Sequence, residues 1–263
     1  MKIGFIGGGN MAGAMIRGIL KGGLAKPDEM MVSDINPKTL EAISKETGIL
    51  TGTNKETTAF ADVLDLAVKP QFFEGMLEDI APAVSEDMLI VSIAPGKTIA
   101  WIKERIGRPC KLIRTMPNTP ALVGEGMMGI CPDENVTPEE TEVVRRICES
   151  FARTEVLPEK LMNVVTGVSG SSPAYVFMLI EALADGAVAD GMPRAQAYRF
   201  AAQAVLGSAK LLLETGRHPG ELKDMVCSPG GTTIEAVEVL EKHGMRAAVM
   251  EAIDACIEKT SRL

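Results

Sequence analysis

Apolar and polar positions alternate along the first half of the chain with two different periods. Compact apolar runs at residues 2–6, 30–33, 63–68, 88–93 and 110–114 have the length and composition of strands. Between them, residues 10–21, 38–47, 71–80 and 98–106 repeat apolar side chains every three to four positions, the spacing of helices buried along one face. This alternation predicts βαβ units, hence a parallel sheet with right-handed crossovers. A further apolar run at 126–130 and a helix at 138–151 complete the layer.

Beyond residue 160 the strand-like runs stop. Segments 172–190, 194–215, 220–226, 232–242 and 245–259 all read as helices. Gly191-Met192-Pro193 separates the first two, and Gly216 stands where a helix C-cap belongs, with Pro219 following. The pattern predicts two domains, 1–160 and 161–263, the first α/β and the second all-helical. The helix from Ser172 is apolar on nearly every face, from Ala174 and Val176 to Ala187 and Val188. A helical domain of about a hundred residues has little with which to cover it. A second copy of the chain is the economical cover, so the expectation is a homodimer built on the C-terminal domain, with a larger homo-oligomer left open. Glu181 and Asp185 interrupt this apolar stretch, which reads against a membrane span.

Composition narrows the partners. The net charge of −8 and the lack of a basic stripe argue against nucleic acid, and aromatics at 4% are too few for base-stacking platforms. Five dispersed cysteines without a C-x-x-C pair, and a start that lacks a leader pattern, read as reduced thiols in a cytoplasmic protein. No His, Cys and acidic residues share metal-ligand spacing, so no metal is expected.

The most informative turn follows the first strand. In Ile6-Gly7-Gly8-Gly9-Asn10-Met11-Ala12 the pattern G-x-G-x-x-A falls on Gly7, Gly9 and Ala12. Such a turn brings bare backbone and a helix N-terminus to a pyrophosphate, which makes this a dinucleotide site in a Rossmann-type domain. Asp34 closes the second strand, after Ser33. A carboxylate there accepts from a ribose 2′-hydroxyl and repels a 2′-phosphate, whereas Asn36 and Lys38 would attract one. The choice between NADH and NADPH stays open.

Four more segments carry a family resemblance. They are Ala67-Val68-Lys69-Pro70, Thr115-Met116-Pro117-Asn118-Thr119-Pro120, the stretch Val165–Tyr175 (VTGVSGSSPAY), and His218–Asp224 leading into Cys227-Ser228-Pro229-Gly230-Gly231-Thr232-Thr233. Over essentially its whole length the chain resembles the pyrroline-5-carboxylate reductases. The resemblance implies a Rossmann domain followed by an all-helical dimerisation domain, and NAD(P)H-dependent reduction of the cyclic imine Δ1-pyrroline-5-carboxylate to L-proline. It also implies that Asn54, Ala67, Val68, Lys69, Pro70, Ile93, Ala94 and Pro95 hold the cofactor, and Asn118 joins them by its place at a strand's carboxyl end.

The Ser228–Thr233 stretch is the expected substrate loop. Two glycines after a proline expose successive N–H groups, and the helix from Thr232 turns its positive end toward them, which suits a small carboxylate. Ser228 with Gly230, Gly231 and Thr232 would hold that carboxylate, and the Thr233 hydroxyl would orient the ring nitrogen. Read without the resemblance, the same stretch is a plain helix cap. Met225 stands where some family members carry an amide. His218 reads as a helix cap, and Glu139-Glu140 as first-turn acids. A β-hydroxyacid dehydrogenase shares the two-domain plan but needs a catalytic lysine on its long helix, and residues 171–191 contain none. A non-catalytic dinucleotide sensor would not need a carboxylate loop.

Overall fold

The computed structural model describes the whole chain, residues 1–263. It forms two compact units, Met1–Ser171 with Cys256–Leu263, and Ser172–Ala255.

The first unit is built on an eight-stranded sheet. Strands β1 (Ile3–Ile6), β2 (Met30–Ser33), β3 (Leu50–Thr51), β4 (Val63–Leu66), β5 (Leu89–Ser92), β6 (Lys111–Met116), β7 (Gly126–Pro132) and β8 (Ala152–Val156) lie in the order 3-2-1-4-5-6-7-8. The order reverses between β1 and β4, whose registers run Ile3↔Val63 to Ile6↔Leu66. Helices α1 (Asn10–Lys21), α2 (Pro37–Thr47), α3 (Asn54–Phe60), α4 (Phe73–Ile80), α5 (Ile99–Ile106) and α6 (Pro138–Cys148) follow the pattern of alternation. One core, with Ile16, Ile19, Val144 and Phe151, belongs to the α1 and α6 side of the sheet. The other, with Leu64, Phe73, Leu77 and Ile102, belongs to the α4 and α5 side.

Local chemistry sets the helix limits. α2 starts at Pro37, where the Asn36 side chain accepts from the Lys38 amide, and stops at Gly48 with φ 76°. α6 opens with a capping box between Thr137 and Glu140, and Lys111 pairs with Glu140 at 2.7 Å. The wholly parallel sheet expected from the alternation needs one correction. β7 runs antiparallel to β6, because the link from Pro117 to Glu125 holds a short 3-10 turn and no crossover helix. Residues 159–170 are helical too: a 3-10 turn, then α7 (Met162–Val165), then a π-turn over Thr166–Gly170.

The last turn of the chain closes this unit. Thr260 is buried, and a side chain placed on Gly96 would strike Thr260 O and Leu263.

In the second unit, α8 (Ser172–Ala189) packs on α9 (Arg194–Thr215), followed by α10 (Pro219–Val226), α11 (Thr232–Lys242) and the greater part of α12 (Met245–Thr260). Its buried residues are Ala184, Ala197 and Ala201. Phe177 at 62%, Met178 at 68% and Phe200 at 68% exposure leave the apolar faces open in the single chain. The helical run Glu159–Ala189 is long and apolar enough to cross a membrane by length and composition alone.

Candidate functional site

Open α/β sheets bind ligands where the strand order reverses, and a cavity of about 590 Å3 opens there. Gly7 leaves β1 with φ 101°, a conformation reserved for glycine, and a side chain on it would strike Ala67 O. Its amide donates to Ser33 O at 2.7 Å, and the Ala67 amide donates to Ile6 O at 2.8 Å. A side chain on Gly9 would project into open space. Gly9 is the N-cap of α1 with no side-chain cap, and the first turn holds no acid. These bare first-turn amides fit a pyrophosphate.

Of the expected cofactor residues, Gly7, Gly9, Asp34, Asn36, Asn54, Ala67, Val68 and Lys69 line this cavity. Gly8 and Asn10 line a smaller neighbour together with Arg17 and Lys38. Ile6, Ser33 and Ala94 are buried beneath, and Met11 packs against the α1-side core. Pro70 starts the 3-10 turn after Lys69, and Ile93 and Pro95 follow β5, outside the cavity lining. Asn118 also lies outside it: its amide nitrogen reaches Ser169 O at 3.2 Å and Ser169 Oγ at 3.3 Å, and its oxygen accepts from the Met127 amide at 2.9 Å.

Asp34 has internal work. Its Oδ2 accepts from the Gly8 amide at 2.7 Å and its Oδ1 from the Asn36 amide at 2.8 Å. The carboxylate therefore ties the glycine turn to the start of α2, and it still faces the cavity. Lys69 forms no ion pair.

Several wall residues escaped the sequence reading: Ile35, Thr39, Phe72, Gly75, Met76 and Asp79. Ile35 at 87% and Phe72 at 54% exposure are apolar side chains left open beside the glycine turn. α3, which carries Asn54, lies outside the helices expected from the sequence, although Thr53-Asn54-Lys55-Glu56 has the spacing of a capping box. Thr53 and Glu56 form a capping box, and bonds from the Thr53 amide and hydroxyl hold the Glu56 carboxyl below its usual range.

In the second unit, Ser228-Pro229-Gly230-Gly231 is a tight turn, with the Gly231 amide donating to Ser228 O at 3.0 Å and Gly230 at φ 65°. Proline then glycine at the centre is the signature of a type II turn. Ser228 Oγ lies over Gly231, where any side chain would collide with it. Gly231 is the N-cap of α11 without a side-chain cap. The turn thus presents the first amides of Thr232 and Thr233 unscreened, beside two hydroxyls, which fits a carboxylate. Thr233 is half-buried and Ser228 exposed. His218 caps α10, its Nδ1 accepting from the Gly220 amide at 3.1 Å. Met225 is exposed.

Comparison with known proteins reaches both units. The family model described as pyrroline-5-carboxylate reductase dimerisation matches residues 159–263, and one described as NADP oxidoreductase, coenzyme F420-dependent, matches residues 2–96. The chain is 52% identical over its full length to a pyrroline-5-carboxylate reductase of Escherichia coli strain K12, covering 98% of that protein. It is 42% identical to one of Methanosarcina acetivorans, covering all of this chain and 97% of the relative. The solved pyrroline carboxylate reductase of Plasmodium falciparum with NADP bound superposes with a TM-score of 0.91 at 32% identity, over 100% of this chain and 97% of that one.

Proposed function

This chain belongs to the pyrroline-5-carboxylate reductase family, and from that premise we propose which of its residues carry the reduction of Δ1-pyrroline-5-carboxylate to L-proline by NAD(P)H. The observation that carries the reading is the glycine turn opening on a cavity at the point where the strand order reverses.

Gly7, Gly8, Gly9 and Asn10 would cradle the pyrophosphate with α1's free amides. Asp34, Asn36 and Asn54 would take the adenosine end, and Ala67–Pro70 with Ile93–Pro95 the remainder. When bound, the cofactor supplies a hydride from its nicotinamide to the C=N carbon. The protein's contribution is orientation, since a protonated imine is already electrophilic and no strong general acid is required. The free N–H groups of Thr232 and Thr233 with the Ser228 hydroxyl hold the substrate carboxylate, whereas the Gly231 N–H expected to join them is already spent on Ser228 O within the turn. The Thr233 hydroxyl, the one catalytic side chain in this assignment, bonds the ring nitrogen. Gly230 supplies the left-handed turn that aims these groups.

Residues 1–160 serve the dinucleotide, and 161–263 serve substrate and self-association. The protein is cytoplasmic and acts as a homodimer, with a partner copy covering Phe177, Met178 and Phe200, which stand open in one chain. The dimerisation match spans α8, which supports reading its apolar faces as cover for a partner copy.

The test is oxidation of NADPH and of NADH with the cyclic imine, with proline measured as product. Imine-dependent oxidation with proline formed one for one is the expected result. A protein that binds the dinucleotide but turns over neither pair would sink the assignment.

A further inference from the structure

The cavity floor carries a hydrogen-bond chain whose direction is fixed at one end. Ser33 Oγ lies 2.7 Å from Asn54 Oδ1, and Asn54 Nδ2 lies 2.9 Å from Asp79 Oδ2. A carboxylate accepts and cannot donate, so the Asn54 amide must turn its nitrogen to Asp79 and its oxygen to Ser33. The buried Ser33 hydroxyl must then donate. Without Asp79 the choice disappears, because a hydroxyl serves equally well as donor or acceptor and the amide could sit either way round. Asp79 is itself steadied by Lys55, 3.5 Å from its other oxygen.

Asn54 and Asp79 come from the start of α3 and the last turn of α4, and both line the cavity. The second N–H of the Asn54 amide has no protein partner. We propose that Asp79 is a positioning residue for the adenosine end of the dinucleotide, acting by holding the Asn54 amide with that free N–H offered to the ligand. The proposal rests on reading this cavity as the adenosine site.

ADP-ribose isolates that half of the cofactor, so it serves as the probe in a binding titration without substrate. Asp79→Leu removes the acceptor at similar size. It should weaken ADP-ribose, NADPH and NADH each by about tenfold, the scale of one oriented hydrogen bond. At saturating dinucleotide, kcat and the KM for the imine should stay at wild-type values. Asp79→Asn can offer Asn54 either an oxygen or an N–H, so it no longer fixes the direction and should bind ADP-ribose at least about threefold more weakly than the wild type. Lys55→Met, which leaves the Asp79–Asn54 bond in place, should bind it to within about threefold of the wild type. The proposal fails if Asp79→Leu binds ADP-ribose as the wild type does, or if kcat falls in step with affinity. It also fails if Lys55→Met is as damaging as Asp79→Leu, since surface charge would then be the cause. A wild-type protein that binds NADPH but neither ADP-ribose nor its 2′-phosphate would remove the adenosine reading itself, and the proposal with it.

Discussion

Asp65 sits in the middle of β4, between Phe5 of β1 and Val91 of β5, with 3% of its surface exposed. Its Oδ1 has no hydrogen-bond partner, and burial alone pushes its carboxyl up to about 8. The fold therefore keeps a proton that the unfolded chain releases near pH 4. The sign follows directly: Asp65's contribution is most favourable below pH 4 and is lost as the pH rises to 8, because over that window the unfolded state binds fewer protons. Each pH unit costs about 1.4 kcal/mol, so the loss between pH 5 and pH 8 is on the order of 4 kcal/mol. Asp65→Asn keeps the shape and removes the titration. The buried amide it introduces carries its own cost of about 1–3 kcal/mol, but that cost does not depend on pH. The stability of Asp65→Asn relative to the parent should therefore rise by about 4 kcal/mol between pH 5 and pH 9. Urea unfolding at a fixed protomer concentration measures it, with every other titrating group cancelling in the difference. Parallel curves for the two proteins across that range would refute the argument.

Asp34→Ser should lower the Tm of the cofactor-free protein, because the Gly8 and Asn36 amides lose their acceptor. It should also raise the kcat/KM ratio of NADPH over NADH by about tenfold, and an unchanged ratio would leave Asp34 a clamp alone. Thr233→Ala should reduce kcat/KM for the imine by about ten- to a hundredfold, and Ser228→Ala should mainly raise its KM. Cofactor affinity should hold in both, and wild-type efficiency in both variants would return the turn to a plain helix cap. Phe177→Asp places a charge on an open apolar face and should abolish self-association in sedimentation; an undisturbed oligomer would put the interface elsewhere.

The first unit was legible because its signals are local. The glycine turn announced α1, and Glu139-Glu140 after Pro138 announced the first turn of α6, each within a few residues. What was not legible depends on neighbours distant in sequence. Nothing in the 126–130 run states its direction; the short link behind it settles that. β3 is two residues long, below any period. Ile35, Phe72 and Met76 look like ordinary apolar positions until the strands bring them round one cavity. Asp79 reads as one more acid on a helix, and its partner Asn54 lies 25 residues away. Asp65 gives no local sign of its isolation, since a carboxylate in a four-residue strand could equally face solvent at an edge.

The closing of the first unit by its own last turn bears on how the protein is made. Gly96 and Thr260 are in contact but lie more than 160 residues apart, so the patch around Gly96 stays open while most of the chain is still being synthesised. The sheet can assemble early, yet its final seal waits for residues 256–263. A chain released before residue 260 would keep that patch bare and present it to chaperones and proteases. Removing residues 256–263 should therefore lower the stability of the first unit even though its sheet is left whole.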